Sequence, residues 1–353
     1  MAWKGLVDSP PDQSETIQRL REIESVLHVC RDGGDWEIAL RADHGAILHE
    51  LWELLLDVVC SPLWLRIRAA ELLNVCFTLR SENLQIDRAR ASWLRSIVSS
   101  SCQILDELDP RAAPQATDLF HWMAFLEHLL CATRDSQVFR HAVFRHATYA
   151  SLLAKMVRLL GKSSTQLFAA TTICLAAFHR HEMLAHESTV EKPVGHDRAS
   201  VLLDVVLKDE AGREGIEHLG GALLHVINSC GYPCPEHRRS PLCDSIQLLL
   251  DILLHDQVSH VVYANDFKVL LDILLRECTD LPLEDPLRGE YLQLLDVALA
   301  SPLFLDVHLY RKRDLLKMLH ELFEAGSAED STMPPDVAAL VSRILLARID
   351  RLD

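Results

Sequence analysis

Several residue types are scarce in this chain of 353 residues, and each shortage narrows the possible fold. Glycine occurs only 13 times and aromatic residues make up 6%, whereas hydrophobic residues reach 49% and are dominated by leucine. Leucine favours helices, while strands are enriched in aromatic and β-branched residues, so this composition predicts an all-α protein. We interpret residues 14–353 as a single domain that follows a flexible leader at 1–13.

Two further absences, and the acidic charge, bear on location and partners. No apolar run approaches the roughly 20 residues that span a bilayer, and no basic and apolar leader follows Met1, so neither membrane insertion nor secretion is expected. The ten cysteines mostly sit in leucine-rich helical stretches, which predicts reduced, buried thiols and a cytoplasmic protein. A net charge of −16 repels phosphate backbones, so we expect a protein partner and no nucleic acid.

Enzyme motifs are also missing. The string Gly161-Lys162-Ser163 resembles the end of a phosphate loop, but Met156 stands where that loop requires glycine. His181-Glu182 with His186 resembles a zinc-protease helix, yet a spacing of five turns the second histidine about 140° away from the first. The sequence therefore predicts a protein that is not an enzyme and has no cofactor.

One cluster leaves a metal site open as an alternative. Cys230, Cys234, His237 and Cys243 offer the thiolate and imidazole donors that tetrahedral zinc prefers. Their spacing departs from the usual two-residue knuckle, and Cys243 is expected to point into the following helix. We favour an ordinary interhelical loop and no metal, with zinc as the alternative.

The remaining sequence reads as consecutive helices joined by turns too short to contain strands. Residues 186–198 are predicted to form a linker. The predicted helices are 14–30, 44–60, 62–79, 86–108, 116–132, 137–146, 149–160, 164–181, 199–207, 215–228, 241–255, 267–278, 287–300, 311–325 and 335–352.

A short internal repeat indicates how these helices stack. The string Leu-Leu-Asp, followed by Ile or Val, has its aspartate at positions 57, 204, 251, 272 and 296. Asp204 and Asp251 are 47 residues apart, and Asp251 and Asp296 are 45 apart. Helical solenoids of the HEAT and armadillo type repeat every 40–47 residues or so, so the spacing predicts an armadillo/HEAT-like solenoid.

The stretch 261–295 combines a clear apolar face with a polar one. Asn265 or Asp266 is predicted to cap a helix that starts at about Phe267. Its apolar face is formed by Phe267, Leu270, Leu271, Leu274 and Cys278. Val269 and Ile273 are expected to widen this face into a stripe that is buried on more than one side. Lys268, Asp272 and Arg276 follow at intervals of four on the other side, where they form either exposed ion pairs, the default interpretation, or a surface that a partner recognises. Asp285-Pro286 then starts a second helix.

The identities in this stretch resemble a known signature. The matching residues are Tyr263, Asn265-Asp266, Val269-Leu270, Asp272-Ile273, Arg276-Glu277, Asp280-Leu281, Leu287-Arg288 and Tyr291-Leu292. Their order resembles the leucine-rich domain of the WISH/DIP/SPIN family, and Tyr310, Arg311, Arg313-Asp314 and Leu315-Leu316 resemble the next helix of that family. The pattern covers residues 261–320. The chain shows no proline-rich region and no SH3-like module, so it resembles the short fungal members.

This resemblance implies a function and a site. Members are armadillo-like proteins that bind and activate the actin-related protein 2/3 (Arp2/3) complex without a preformed filament, reaching actin indirectly through the complex. Their product is a linear filament that seeds branched networks at cortical, endocytic actin patches. The predicted partner-binding residues are Lys268, Asp272, Arg276, Arg288, Arg311, Lys312 and Arg313.

A second interpretation is a generic armadillo or HEAT adaptor that binds a peptide or helix and has no nucleation activity. The fold alone does not separate the two, because solenoids serve many partners.

Overall fold

A computed structural model describes residues 17, 18, 21, 63–79, 91–187, 200–207, 214–255 and 260–352. Over these ranges all regular secondary structure is helical and no strand is present, so the predicted all-α fold is confirmed. The predicted leader at 1–13 lies outside these ranges. The helices are α1 (Leu63–Leu79), α2 (Ala91–Glu107), α3 (Ala113–Ala132), α4 (Gln137–Phe144), α5 (Tyr149–Leu160), α6 (Thr165–Glu187), α7 (Val201–Leu207), α8 (Ile216–Ser229), α9 (Glu236–Leu253), α10 (Ala264–Asp280), α11 (Leu287–Ala300), α12 (Pro302–Asp306), α13 (Lys312–Ser327) and α14 (Pro335–Leu352).

Most helices lie in two parallel rows. In the first row α2, α5, α8, α10 and α13 each pack against the next, and in the second row α1, α3, α6, α9, α11 and α14 do the same. The rows are joined by the pairs α5 with α6, α8 with α9, α10 with α11 and α13 with α14. One hydrophobic core runs between them from Leu65 to Leu345. Stacked helix pairs of this kind define an α-solenoid, as the sequence predicted.

The apolar face predicted for α10 is confirmed except at Val269, which is 48% exposed, and the predicted cap is wrong. Phe267, Leu270 and Cys278 are fully buried. The helix begins at Ala264 because Tyr263 takes an extended conformation and its carbonyl accepts a hydrogen bond from the amide of Phe267 at 2.8 Å. Asp266 therefore lies inside the first turn, where a negative charge favourably meets the helix dipole.

Two other predicted boundaries within the described ranges shift by five residues or more. Helix α9 starts at Glu236, five residues before the predicted Pro241. The carbonyl that Pro241 leaves without a donor belongs to His237, which is exposed and so open to hydration. Helix α6 continues to Glu187, so the predicted linker at 186–198 begins inside a helix, and its remainder lies outside the described residues.

Among the described residues, only one spacing of the Leu-Leu-Asp string corresponds to neighbouring helices of the same row. Asp251 on α9 and Asp296 on α11 occupy successive helices of the second row. Asp204 lies on the short helix α7 and Asp272 lies in the first row, so their spacings do not correspond to the stacking period. The fifth aspartate, Asp57, lies outside the described residues.

None of the helices in the described ranges combines the length and apolarity needed to cross a membrane.

A largely buried carboxyl group on α3 makes stability depend on pH. Burial raises the pKa of Glu127 on α3 from 4.5 to about 7, and Arg238 only partly offsets this. The pKa of Glu127 is higher in the folded state than in the unfolded state. The contribution of Glu127 to the free energy of unfolding is therefore complete below pH 4.5 and is lost as the pH rises through 7. Glu127→Gln should therefore raise the free energy of unfolding by about 1–2 kcal/mol at pH 8, since the side chain keeps some exposure, and by nothing at pH 4. Urea unfolding at both pH values measures this, with the exposed Glu329→Gln as the control.

An equal gain at both pH values would show that amide packing, and not the loss of a buried charge, causes the stabilisation of Glu127→Gln.

Candidate functional site

The predicted polar stripe of α10 meets the start of α13 through Asp272. One carboxylate oxygen of Asp272 accepts a hydrogen bond from the guanidinium of Arg311 at 3.0 Å. The other accepts from the hydroxyl of Tyr310 at 3.2 Å. Arg311 also donates to Asp314 at 2.9 Å, and the two carboxylates raise its pKa, Asp314 most strongly. These four side chains form one network, which we call the Asp272 network.

The backbone that carries this network is unusual. In the turn from Val307 to Arg311, the φ angles of His308, Leu309 and Arg311 are 56°, 53° and 59°. Side-chain-bearing residues rarely adopt this left-handed region, and three within four positions form a strained segment. The turn is nevertheless closed by hydrogen bonds from the amides of His308 to Leu305 at 2.9 Å and of Leu309 to Phe304 at 3.0 Å. We call this segment the 307–311 turn.

Positively charged side chains lie over the ring of Tyr310 and at the start of α13. The ammonium of Lys268 lies 5.9 Å from the centre of the Tyr310 ring, and the guanidinium of Arg311 lies at the same distance. A cation within about 6 Å of an aromatic ring gains electrostatic attraction from it. Arg313 is exposed at the start of α13. Within the described part of the chain, neither Lys268 nor Arg313 has a carboxylate at ion-pair distance, so both charges are available to a partner.

Arg276, the third residue of the stripe, is partly used inside the protein. Its guanidinium donates to the buried carboxylate of Glu277 at 2.6 Å and to the side chain of Asn228 on α8 at 3.0 Å. Glu277 in turn accepts from the backbone amide of Tyr232 at 2.9 Å and fixes the loop between α8 and α9. The side chain of Arg276 remains 47% exposed, so it contributes to the same face.

Arg288 does not lie on this surface, and its predicted role as a partner-binding residue is wrong. It is only 1% exposed. Its guanidinium donates to the carbonyls of Cys278 and Leu281, at the C-terminal end of α10, and to that of Pro282 at 3.4 Å. A helix end leaves carbonyls without donors, and a buried cation there satisfies them and complements the helix dipole.

The structure therefore brings together most of the predicted site. Lys268, Asp272 and Arg311 lie against Tyr310. Arg276 lies on α10 with Lys268 and Asp272, and the first turn of α13 carries the half-buried Lys312 and the exposed Arg313. Sequence reasoning omitted Tyr310 from the site, although it belongs to the recognised signature. Its contact with Asp272 spans 38 residues, and no local spacing reveals it.

One buried cluster resembles a catalytic triad. The two ring nitrogens of His179 lie 2.7 Å from Asp251 and 3.1 Å from the hydroxyl of Ser200. Ser200 is 1% exposed, and its oxygen also lies 2.6 Å from the carboxylate of Glu182. Glu182 accepts a further bond from Tyr149 at 2.9 Å. A substrate has no access to such a serine, so this cluster holds α5, α6, α7 and α9 together rather than forming a catalytic site.

The residues considered for zinc do not converge. In the described ranges no group of three or more His, Cys, Asp or Glu side chains is placed to hold a metal ion. Cys230 is buried at the end of α8, and the thiol of Cys234 donates to the carbonyl of Pro235 at 3.6 Å. The zinc alternative is therefore not supported.

His181, singled out in the protease-like string, is also structural. It lies against Phe139 and Phe144 and donates to the carbonyl of Leu130 at 2.8 Å. Burial lowers its pKa to about 4, so it is neutral at pH 7. The side chain of His186, its proposed partner, lies outside the described residues.

The protein is an α-solenoid, and one of its faces is polar and centred on Tyr310 and Arg311. Tyrosine and arginine are residue types that protein interfaces favour. Residues 165–315 match the family model of the SPIN90/Ldb17 leucine-rich domain, which supports the resemblance noted in the sequence. The match begins well upstream of the recognised signature, at α6, and ends in the first turn of α13. The family fits an actin-related function in general. No curated protein matches the chain significantly.

Proposed function

We propose that this protein binds and activates the Arp2/3 complex without a preformed filament. It would then nucleate linear actin filaments that seed branched networks at cortical, endocytic patches in the cytoplasm. Activation of this kind needs no catalytic group, so we propose a protein that is not an enzyme. It requires only that the solenoid bind the active conformation of the complex more tightly than the inactive one.

The Asp272 network is the observation that carries this proposal. It joins the two separate parts of the recognised signature, α10 and the start of α13, into one exposed face. Several other signature residues are explained by the fold, because Arg288 ends α10 and Glu277 fixes a loop. The signature residues Asp272, Arg276, Tyr310, Arg311 and Arg313 lie at least partly at the surface, and Lys268 lies beside them. Tyrosine and arginine are enriched among the residues that dominate interface energies.

The alternative is an adaptor that holds a peptide or helix on the same solenoid and leaves actin unaffected. Both candidates use a rigid helical surface, so the difference lies in what happens to actin.

Actin assembly with purified Arp2/3 complex, actin and no added filaments separates the candidates. We expect faster pyrene fluorescence growth that depends on the complex, with unbranched filaments in single-filament images. No acceleration with a complex from a matching species would reject activation and favour the adaptor.

A charge-reversal variant locates the activity on the proposed face. Lys268→Glu with Arg313→Glu should weaken binding to the complex by about tenfold, because both cations lack a carboxylate partner in the described part of the chain. Lys317→Glu is the matched control, since Lys317 is 77% exposed on α13. Equal affinities of the unmodified chain and the double variant would exclude these two cations from the interface.

A further inference from the structure

The 307–311 turn raises the question of what keeps it in a strained conformation. Its backbone hydrogen bonds are local, and Arg311 precedes α13 without a side-chain cap on the helix. Residues in sparsely populated backbone regions persist only where the surroundings hold them, and they concentrate at functional sites. The turn should therefore have an external tether.

Asp272 is the tether that the geometry provides. It lies on a different helix, and its separate oxygens accept hydrogen bonds from both Tyr310 and Arg311, at 3.2 and 3.0 Å. Asp314 also contacts Arg311, but it lies on α13 itself and so does not fix the turn relative to α10. Both oxygens of Asp272 therefore already accept hydrogen bonds from the segment that they hold.

We propose that Asp272 is a positioning residue that holds the 307–311 turn in its left-handed conformation and so presents Tyr310 and Arg313 to the partner. This inference rests on the proposed function, because the partner is the Arp2/3 complex. Asp272 then supports the turn, whereas the sequence predicted that it contacts the partner. A preorganised turn binds more tightly because less conformational freedom is lost on association.

Two measurements on the full chain test this, one without the partner and one with it. In Asp272→Ala, hydrogen exchange at the amides of His308, Leu309 and Lys312 should be about tenfold faster in the free protein, because the turn opens more often. Affinity for the Arp2/3 complex should fall by about tenfold. Asp272→Asn keeps one acceptor oxygen and should retain part of both properties. Asp280→Ala, which makes the same charge change at the exposed end of α10, should alter neither.

The outcomes separate the inference from the proposed function. Unchanged exchange in Asp272→Ala overturns the inference, whatever the affinity does. Faster exchange with unchanged affinity shows that the turn is not presented to the partner, and the proposed function then stands without it. Absence of binding by the unmodified chain, which is measured first, overturns both.

Discussion

Replacing Arg288 by methionine is expected to lower the free energy of unfolding by about 3–5 kcal/mol, because it removes the guanidinium donor from the buried carbonyls of Cys278 and Leu281. The guanidinium donates to Cys278, Leu281 and Pro282, at the point where α10 ends and the chain turns into α11. Methionine fills a similar volume, so the loss reports hydrogen bonds and charge more than packing. Urea unfolding followed by circular dichroism measures the change.

Two further variants sharpen this test. Arg288→Lys keeps the charge but loses the planar fork that reaches several carbonyls, so it should lie between the wild type and methionine. Arg343→Met is the control, since its side chain is 65% exposed and shares Asp296 with Arg348, and it should change stability by less than about 0.5 kcal/mol. A loss for Arg288→Met no larger than that of the control would mean that water or a rearranged backbone satisfies these carbonyls.

The second large effect is expected at Gly220 on α8, where alanine should destabilise the fold by about 2–3 kcal/mol. A Cβ added to Gly220 would overlap the carbonyl oxygen of Val261, which is main chain and cannot rotate away. The first-row helix α8 and the segment before α10 would have to separate. Gly220 is thus required by the close approach of two backbones.

The next residue, Gly221, provides a control in which the expected change in stability has the opposite sign. A Cβ at Gly221 meets nothing within 4 Å. Because alanine restricts the unfolded chain and favours helix, Gly221→Ala should stabilise the protein by about 0.5–1 kcal/mol. Thermal unfolding of the two variants side by side gives shifts in opposite directions. Stabilisation by both changes would indicate that the Val261 segment moves freely and that the close approach does not constrain the fold.

Much of the fold follows from periodicity in the sequence. The bounds of α11 and α14 are as predicted, because proline at the helix start and a regular apolar face mark them clearly. The start of α10 was predicted wrongly because Asn265 and Asp266 are good capping residues, yet the carbonyl of Tyr263 begins the helix. Local capping preference is a weaker determinant than tertiary packing of the apolar face.

The site was predictable only in part, and Arg288 shows why. It was assigned to the surface because it is charged, although Arg288, Tyr291, Leu292 and Leu295 follow the spacing of a buried helical face. That signal was present in the sequence. The sequence contained no comparable signal for the contact of Asp272 with Tyr310. That contact depends on how α10 and α13 pack and on a left-handed turn that no local motif predicts.

The two-row stacking has a mechanical consequence. Each helix pair packs mainly against its neighbours, so a force applied between the ends passes through every interface in series. Small rotations at successive interfaces add up, and the whole array bends or twists as an elastic body, while each pair keeps its internal packing. The Asp272 network bridges one of these interfaces, between α10 and α13, and there it acts as a local brace.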